Sequence, residues 1–238
     1  MKEYYQAYDD RYRRVHAEGL AWAPSEPTPA VLETMAEYGI DKTKRILEIG
    51  VGEGRDAALL LREGYDLMAS DVSPEAIDYC KRMLPQFAER FFTLDAVCGT
   101  HEGRYDFIYA VAVIHMLVLD THRKAFLRFI REHLTEDGIA LVCAMGDGIR
   151  EHQSDTATAF DLQKRLHRGS GRELTVASTS CRMVRQADLL AQCRAAGLYP
   201  VSYTVREDVP DFDKMMCVVL KKEDENEQIS EYTHLHRS

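Results

Sequence analysis

One stretch of sequence decides the fold of this chain: Glu48-Ile49-Gly50-Val51-Gly52-Glu53-Gly54. It completes a short apolar run that begins at Ile46, and a helical pattern of alanines and leucines starts directly after it. Because glycine has no Cβ, the chain can turn sharply here and a ligand can approach the backbone. The start of the helix offers free N–H groups to an anionic group. The stretch therefore predicts a strand, a tight glycine loop and a helix, with a nucleotide-like ligand at the end of the strand.

Strands and helices alternate after this loop. Further strands are predicted near residues 67–71, 91–95, 107–111 and 139–144, and helices near residues 73–84 and 120–134. The first two of these strands end in an aspartate, Asp71 and Asp95 respectively. Strands that alternate with helices of this length form a parallel sheet covered on both faces. The fold class is therefore α/β.

The regular alternation stops after residue 146. A polar, helix-like segment near 155–167 and a strand-like run near 173–180 indicate an insert, which we place at residues 147–184. A helix over 185–196 and strands near 199–206 and 215–221 follow. The link between these last two strands is too short for a parallel crossover, so they are predicted to pair antiparallel.

The composition excludes several classes of protein. The chain has 238 residues, of which 45% are hydrophobic, and a formal net charge of -9. It has neither the roughly 20 continuous apolar residues of a membrane helix nor the apolar core of a signal peptide, so we expect a cytoplasmic protein with no membrane partner. The acidic charge disfavours nucleic acid, which binds basic surfaces. No Cys-x-x-Cys pair is present, and no metal site is predicted.

The glycine spacing separates two classes of ligand. In the dinucleotide fingerprint Gly-x-Gly-x-x-Gly the third glycine follows the second by three places, whereas Gly54 follows Gly52 by two, which disfavours an NAD-dependent oxidoreductase. The pattern Glu-x-Gly-x-Gly-x-Gly, with Asp71 17 positions after Gly54 and Asp95 ending the third strand, resembles the class I S-adenosylmethionine-dependent methyltransferases. The resemblance covers about residues 28–222.

This resemblance implies a Rossmann-like, doubly wound sheet of seven strands, mostly parallel with an antiparallel C-terminal strand. It implies S-adenosylmethionine as the cofactor, with S-adenosylhomocysteine as product. Gly50, Gly52 and Gly54 would contact the methionine and ribose part through their backbone, and Glu48 would lie near the ammonium group.

The resemblance also assigns roles at the ends of the second and third strands. Asp71 would accept both ribose hydroxyls and Val72 would pack on the adenine ring. Asp95 would accept the adenine amino group, and Ala96 would donate its backbone N–H to the ring. For both aspartates a purely structural role is the alternative. Arg55 follows the loop as in the tellurite-resistance and thiopurine methyltransferases, and would pair with the cofactor carboxylate.

An apolar run over residues 109–116 ends the fourth strand. By the same resemblance, Ala110 and Val111 would line the cofactor. His115 is the one side chain in the run that titrates near neutral pH, so it is a candidate general base, with a structural histidine as the alternative.

The N-terminal helix carries an aromatic stripe. Tyr4, Tyr8 and Tyr12 recur at helical spacing, and Trp22 follows. The stripe either packs on the core or forms a lid over the cofactor. Scattered polar residues of the insert are candidates for substrate contacts: His152, Asp155, His167, Arg168 and Arg172. The alternative is that they form a solvated surface.

The sequence thus predicts three regions: an aromatic helix and loop at residues 1–27, a methyltransferase domain at 28–222, and a polar, disordered tail at 223–238. The predicted activity is methyl transfer from S-adenosylmethionine to a small molecule by in-line displacement. The alternative is a regulatory module that binds S-adenosylmethionine or another nucleotide without catalysis. No motif specifies the acceptor, its atom type or an oligomeric state.

Overall fold

The computed structural model describes residues 2–23 and 26–222. The α-helices in these residues are α1 (Ala7–Ala17), α2 (Pro29–Glu37), α3 (Arg55–Arg62), α4 (Pro74–Met83), α5 (Asp120–His133) and α6 (Gln186–Ala195). The strands of the first half are β1 (Arg45–Ile49), β2 (Asp66–Asp71), β3 (Phe91–Thr93), β4 (Tyr105–Val111) and β5 (Leu134–Met145). Those of the second half are β6 (His152–Gln153), β7 (Leu162–Leu166), β8 (Glu173–Ala177), β9 (Arg182–Met183), β10 (Leu198–Arg206) and β11 (Met215–Lys222). The tail predicted to be disordered lies outside the described residues.

The main sheet has seven strands in the order β10-β11-β5-β4-β1-β2-β3. β1 pairs parallel with β2 and β4, whereas β11 pairs antiparallel with both β5 and β10. This confirms the predicted fold class, including the antiparallel strand at the C-terminal end. The order reverses at β1 and β4, and in open α/β sheets this is where ligands bind, outside the carboxyl ends of the strands.

Both faces of the sheet are covered because neighbouring residues of a strand point to opposite sides. Leu47 and Ile108 belong to the apolar cluster with α5 and α6, whereas Ile46 and Phe107 belong to the cluster with α2, α3 and α4. The central strands are therefore almost continuously buried, which explains why their sequences are apolar runs without alternation.

The prediction of a helix near residues 155–167 is wrong. A short 3-10 turn at Thr156–Thr158 is followed by β7, which pairs antiparallel with β8. Buried Leu174 and Val176 alternate with exposed residues along β8, and Lys164 of β7 lies 2.7 Å from Glu173 of β8. These cross-strand contacts favour strands in a segment whose own composition is compatible with a helix.

The N-terminal helix begins as a 3-10 turn at Tyr4–Gln6 and continues as α1. Tyr4, Tyr5 and Ala7 are buried in the apolar cluster on the α5 side of the sheet, so this region is part of the core. Among the described residues, no helix has the length and apolar character needed to cross a membrane.

Candidate active site

The glycine loop forms the floor of a cavity above the carboxyl ends of β1, β2 and β4. Gly50 and Gly52 have φ angles of +79° and +54°, in the left-handed region that favours glycine. A Cβ on Gly50 would collide with Val113 Cγ2, and a Cβ on Gly52 would lie 2.9 Å from the Tyr12 hydroxyl. A larger residue at either position would therefore displace a side chain of the cavity wall and strain the backbone.

The structure brings most of the predicted site residues together around this cavity. Those in its wall are Glu48, Gly50, Gly52, Arg55, Asp71, Val72, Asp95, Ala96, Val111, Tyr8, Tyr12 and Trp22. The predicted residues that do not line the cavity are Gly54, Ala110, Tyr4, His115, His152, Asp155, His167, Arg168 and Arg172. Asp71 ends β2 opposite Thr93 of the parallel neighbour β3, and Asp95 follows two residues after Thr93, so both aspartates reach the same cavity.

Asp71 is buried at the end of β2 and is held by backbone donors. Gly52 N donates to Asp71 Oδ2 at 2.9 Å, and Ser73 N donates to Oδ1 at 2.8 Å. Burial raises the pKa of Asp71 to about 6, although these two hydrogen bonds favour the ionised carboxylate. Asp71 therefore fixes both the glycine loop and Ser73, the N-cap residue of α4.

Asp95 is held in a similar way. Val97 N donates to Asp95 Oδ1 at 2.9 Å, and the Tyr5 hydroxyl donates to Oδ2 at 2.9 Å. Tyr5 itself lines the cavity. A residue of the N-terminal region thus fixes the carboxylate that the sequence assigns to adenine.

Glu48 and Arg55 lie on either side of the glycine loop. The Tyr109 hydroxyl donates to Glu48 Oε2 at 2.9 Å, and burial together with the nearby Asp56 charge raises the pKa of Glu48. Arg55 Nε lies 3.8 Å from Asp56 Oδ2, and within the described part of the chain its guanidinium makes no hydrogen bond. Arg55 is therefore available to a carboxylate of a ligand.

His115 lies behind the cavity wall. Its side chain is 3% exposed, and its ring meets Phe212 edge-on with centroids 5.7 Å apart. Burial, followed by the Arg123 charge, lowers the pKa of His115 to about 3. Such an imidazole is neutral near pH 7 and is a poor proton acceptor, which favours the structural role over the general base.

Three other predicted residues, His152, Tyr4 and Ala110, lie outside the cavity wall. His152 is exposed on β6, which pairs with β9, and it does not line the cavity. The Tyr4 hydroxyl accepts hydrogen bonds from Val118 N and Leu119 N, so Tyr4 anchors the N-terminal region below the cavity. Ala110 is fully buried within β4.

Gly54 lies on the side of the loop that packs against α4. A Cβ on Gly54 would lie 3.0 Å from Cys80 Sγ of α4, and the φ angle of Gly54 is +82°. It therefore allows close packing of the loop on α4 and does not contact the cavity.

We call α1, residues 20–23 and the β7–β8 hairpin the cap: α1 and residues 20–23 contribute to the cavity wall, and the hairpin packs on α1. Buried Arg11 of α1 donates to the Ala177 and Ser178 carbonyl oxygens at 2.7 and 2.8 Å, which joins α1 to the end of β8. Its guanidinium also lies 4.8 Å from the Trp22 ring centroid. The aromatic stripe therefore both packs on the core and forms part of a cover over the site.

Glu53 connects the cap to the glycine loop. Its carboxylate accepts hydrogen bonds from Trp22 N at 2.7 Å and Ala23 N at 2.6 Å. His16 Nε2 lies 2.8 Å from Glu53, and His16 Nδ1 lies 2.8 Å from Glu75 of α4. The His16 ring also stacks on Tyr79 with centroids 4.4 Å apart.

Sequence reasoning missed several residues in the described wall, among them Tyr5, Val113, Asp211 and Phe212. Tyr5 directly follows Tyr4 of the aromatic stripe, but it was not predicted to be a site residue. Asp211 and Phe212 lie in the short link between β10 and β11, which carries no motif and reaches the cavity only through the sheet topology.

Comparisons with known proteins agree with this geometry. A sequence profile described as a methyltransferase domain matches residues 20–203. This is most of the chain, which therefore belongs to this family of methyltransferase domains. A search of curated protein sequences finds no significant match.

Solved structures share the fold at low identity. The CcbJ methyltransferase from Streptomyces caelestis has a TM-score of 0.69 at 15% identity, over 94% of this chain and 100% of that one. The Burkholderia thailandensis 1,6-didemethyltoxoflavin-N1-methyltransferase has a TM-score of 0.59 at 19% identity, over 82% and 77%. The glycopeptide N-methyltransferase MtfA has a TM-score of 0.60 at 14% identity, over 83% and 88%.

Proposed function

We propose that this protein transfers a methyl group from S-adenosylmethionine to a small-molecule acceptor. The observation that carries the proposal is the placement of Asp71 and Asp95 at the ends of adjacent parallel strands beside the glycine loop. A carboxylate can accept from two hydroxyl groups, and an exocyclic amino group needs an acceptor. Asp71 then binds the ribose and Asp95 the adenine, with Leu94 and Val97 as apolar walls.

The electrostatics of the cavity suit this cofactor. Among the described residues, six acidic residues and one basic residue line it: Glu48, Glu53, Asp56, Asp71, Asp95, Asp211 and Arg55. S-adenosylmethionine carries a sulfonium, an ammonium and a carboxylate group. The acidic wall favours the two cations, and Arg55 pairs with the carboxylate.

Bound S-adenosylmethionine supplies an activated methyl group on a sulfonium centre. The residues of this chain orient the reactants and exclude water. Gly50 and Gly52 allow close approach to the backbone, and Trp22 with Tyr12 covers the site. Alignment of this kind can lower a barrier by about 7–11 kcal/mol, so the reaction requires little side-chain chemistry.

The cap and the neighbours support a small acceptor. The cavity wall includes residues of α1, of residues 20–23 and of the β10–β11 link, which leaves room for a compact molecule between them. Two similar structures are those of a 1,6-didemethyltoxoflavin-N1-methyltransferase with bound 1,6-didemethyltoxoflavin and of a glycopeptide N-methyltransferase.

An Asp71→Ala variant tests the proposal by calorimetric titration with S-adenosylmethionine. The change removes the acceptor for two hydroxyl groups, each worth about 1.5–3 kcal/mol, so we expect affinity to fall at least about tenfold. Asp78→Ala, which removes an exposed carboxylate from α4, is the matched control and should bind normally. Equal affinity in Asp71→Ala and wild type would refute the assignment.

A further inference from the structure

The six carboxylates that line the cavity differ in one respect. Five of them accept hydrogen bonds from the protein: Glu48 from Tyr109, Glu53 from Trp22 and Ala23, Asp56 from Thr28, Asp71 from Gly52 and Ser73, and Asp95 from Tyr5 and Val97. Within residues 2–23 and 26–222, the Asp211 carboxylate receives none. Asp211 therefore has acceptor capacity that a ligand can use.

Asp211 is presented by a fixed turn. Phe212 N donates to the Val209 carbonyl oxygen at 3.1 Å, and Val209 is 2% exposed in the core. Asp211 has a φ of +72°, a left-handed conformation that aspartate and asparagine tolerate better than most residues. The turn thus brings Asp211 and Phe212 to the cavity together.

The charged partner of Asp211 is weak. Arg168 Nη1 lies 3.8 Å from Asp211 Oδ1, and the Arg168 side chain is 70% exposed, whereas the Asp211 side chain is 30% exposed. An exposed pair at this distance contributes little free energy. Burial raises the pKa of Asp211, and the charges of Arg168 and Arg55 oppose that rise, so the carboxylate depends on charge attraction and has no hydrogen-bond donor of its own in the described residues.

Two aromatic rings, those of Phe212 and Trp22, line the same cavity as Asp211. Phe212 packs against the core and meets His115 edge-on, while Trp22 is held by Arg11 of the cap. Both rings are fixed by the protein and offer flat apolar surfaces. Arg55, the one cation in the described wall, is assigned to the cofactor carboxylate, so an anionic acceptor would meet an acidic surface.

We propose that the acceptor is an amine-bearing aromatic compound whose N–H group donates to Asp211 while its ring lies against Trp22 and Phe212. This inference rests on the proposed function, because it concerns the acceptor side of the same cavity. Asp211 is then a specificity-determining residue for methyl transfer.

The test is calorimetry of aromatic probes on the protein saturated with S-adenosylhomocysteine. The probes are matched sets in which one ring (benzene, naphthalene or indole) carries an ethylamine, an ethanol or a propionate group. In at least one set we expect the ethylamine compound to bind at least about tenfold more tightly than the ethanol and propionate compounds that carry the same ring. Asp211→Asn, which suits the same backbone conformation, should abolish the preference.

Asp213→Asn is the matched control, since it removes an exposed carboxylate two residues along the same turn that does not line the cavity. It should keep the preference for amines. Failure of S-adenosylhomocysteine to bind would refute the proposed function together with this inference. Cofactor binding without an amine preference in any set, or with a preference that survives in Asp211→Asn, would refute this inference alone.

Discussion

Hydrogen bonds hold Asp71 and Asp95 in place before a ligand arrives. Each accepts from one backbone N–H group that follows it by two residues, Ser73 or Val97. Each also accepts from a second group, Gly52 N or the Tyr5 hydroxyl. Such preorganised acceptors lose little entropy when a ligand binds.

The raised pKa of Asp71 makes cofactor binding depend on pH. The pKa of Asp71 is about 6 in the folded chain, against a reference value of 3.8. Protonation of Asp71 therefore stabilises the folded chain. This stabilisation is fully present below pH 3.8 and is lost as the pH rises through 6. Ribose binding requires the ionised form. The dissociation constant of S-adenosylmethionine should therefore fall about tenfold between pH 5 and pH 7, as measured by calorimetry. Asp71→Asn should remove most of this change, and a pH-independent wild type would contradict the assignment.

The environment of His115 predicts that its ring stays neutral. Because burial and Arg123 lower its pKa to about 3, its NMR signals in histidine-labelled protein should show no titration between pH 5 and pH 8. His115→Asn identifies which signals belong to this ring. An inflection near pH 6.5 in those signals would restore the general-base hypothesis.

At the scale of elements, the cap is joined to the sheet through His16. This side chain lies between Glu53 and Glu75 and stacks on Tyr12 and Tyr79. Burial opposes protonation, but the two carboxylates outweigh it, and the pKa of His16 is raised. A protonated ring donates to both carboxylates at once, which closes the cap over the glycine loop.

The His16 contact should slow cofactor release. We expect His16→Gln to release S-adenosylhomocysteine about tenfold faster, because one charged hydrogen bond is lost. In the wild type the contact is fully present below pH 6.5 and is lost as pH rises through the raised pKa, so release should quicken with pH. Stopped-flow fluorescence of Trp22, the single tryptophan, reports this step. Arg14→Gln, which changes an exposed residue of α1, is the control. Equal rates of S-adenosylhomocysteine release from the two variants would contradict the role of His16.

At the scale of the whole molecule, the sequence predicts the sheet because buried parallel strands appear as apolar runs between helices. It predicts Asp71 and Asp95 because each directly follows such a run. In the β7–β8 hairpin, β8 falls in the strand-like run predicted near 173–180, whereas β7 was not predicted, since it is stabilised by its pairing with β8 and not by its own pattern. Asp211 and Phe212 were missed for a related reason: only the pairing of β11 with β5 brings their link to the cavity.

The central claim is that this cavity holds S-adenosylmethionine between the glycine loop and the cap. A crystal structure with S-adenosylhomocysteine tests it most directly. We expect both ribose hydroxyls within about 2.5–3.2 Å of the Asp71 carboxylate and the adenine amino group at hydrogen-bond distance from Asp95. Density for the compound outside this cavity, or a ribose that does not contact Asp71, would contradict the account.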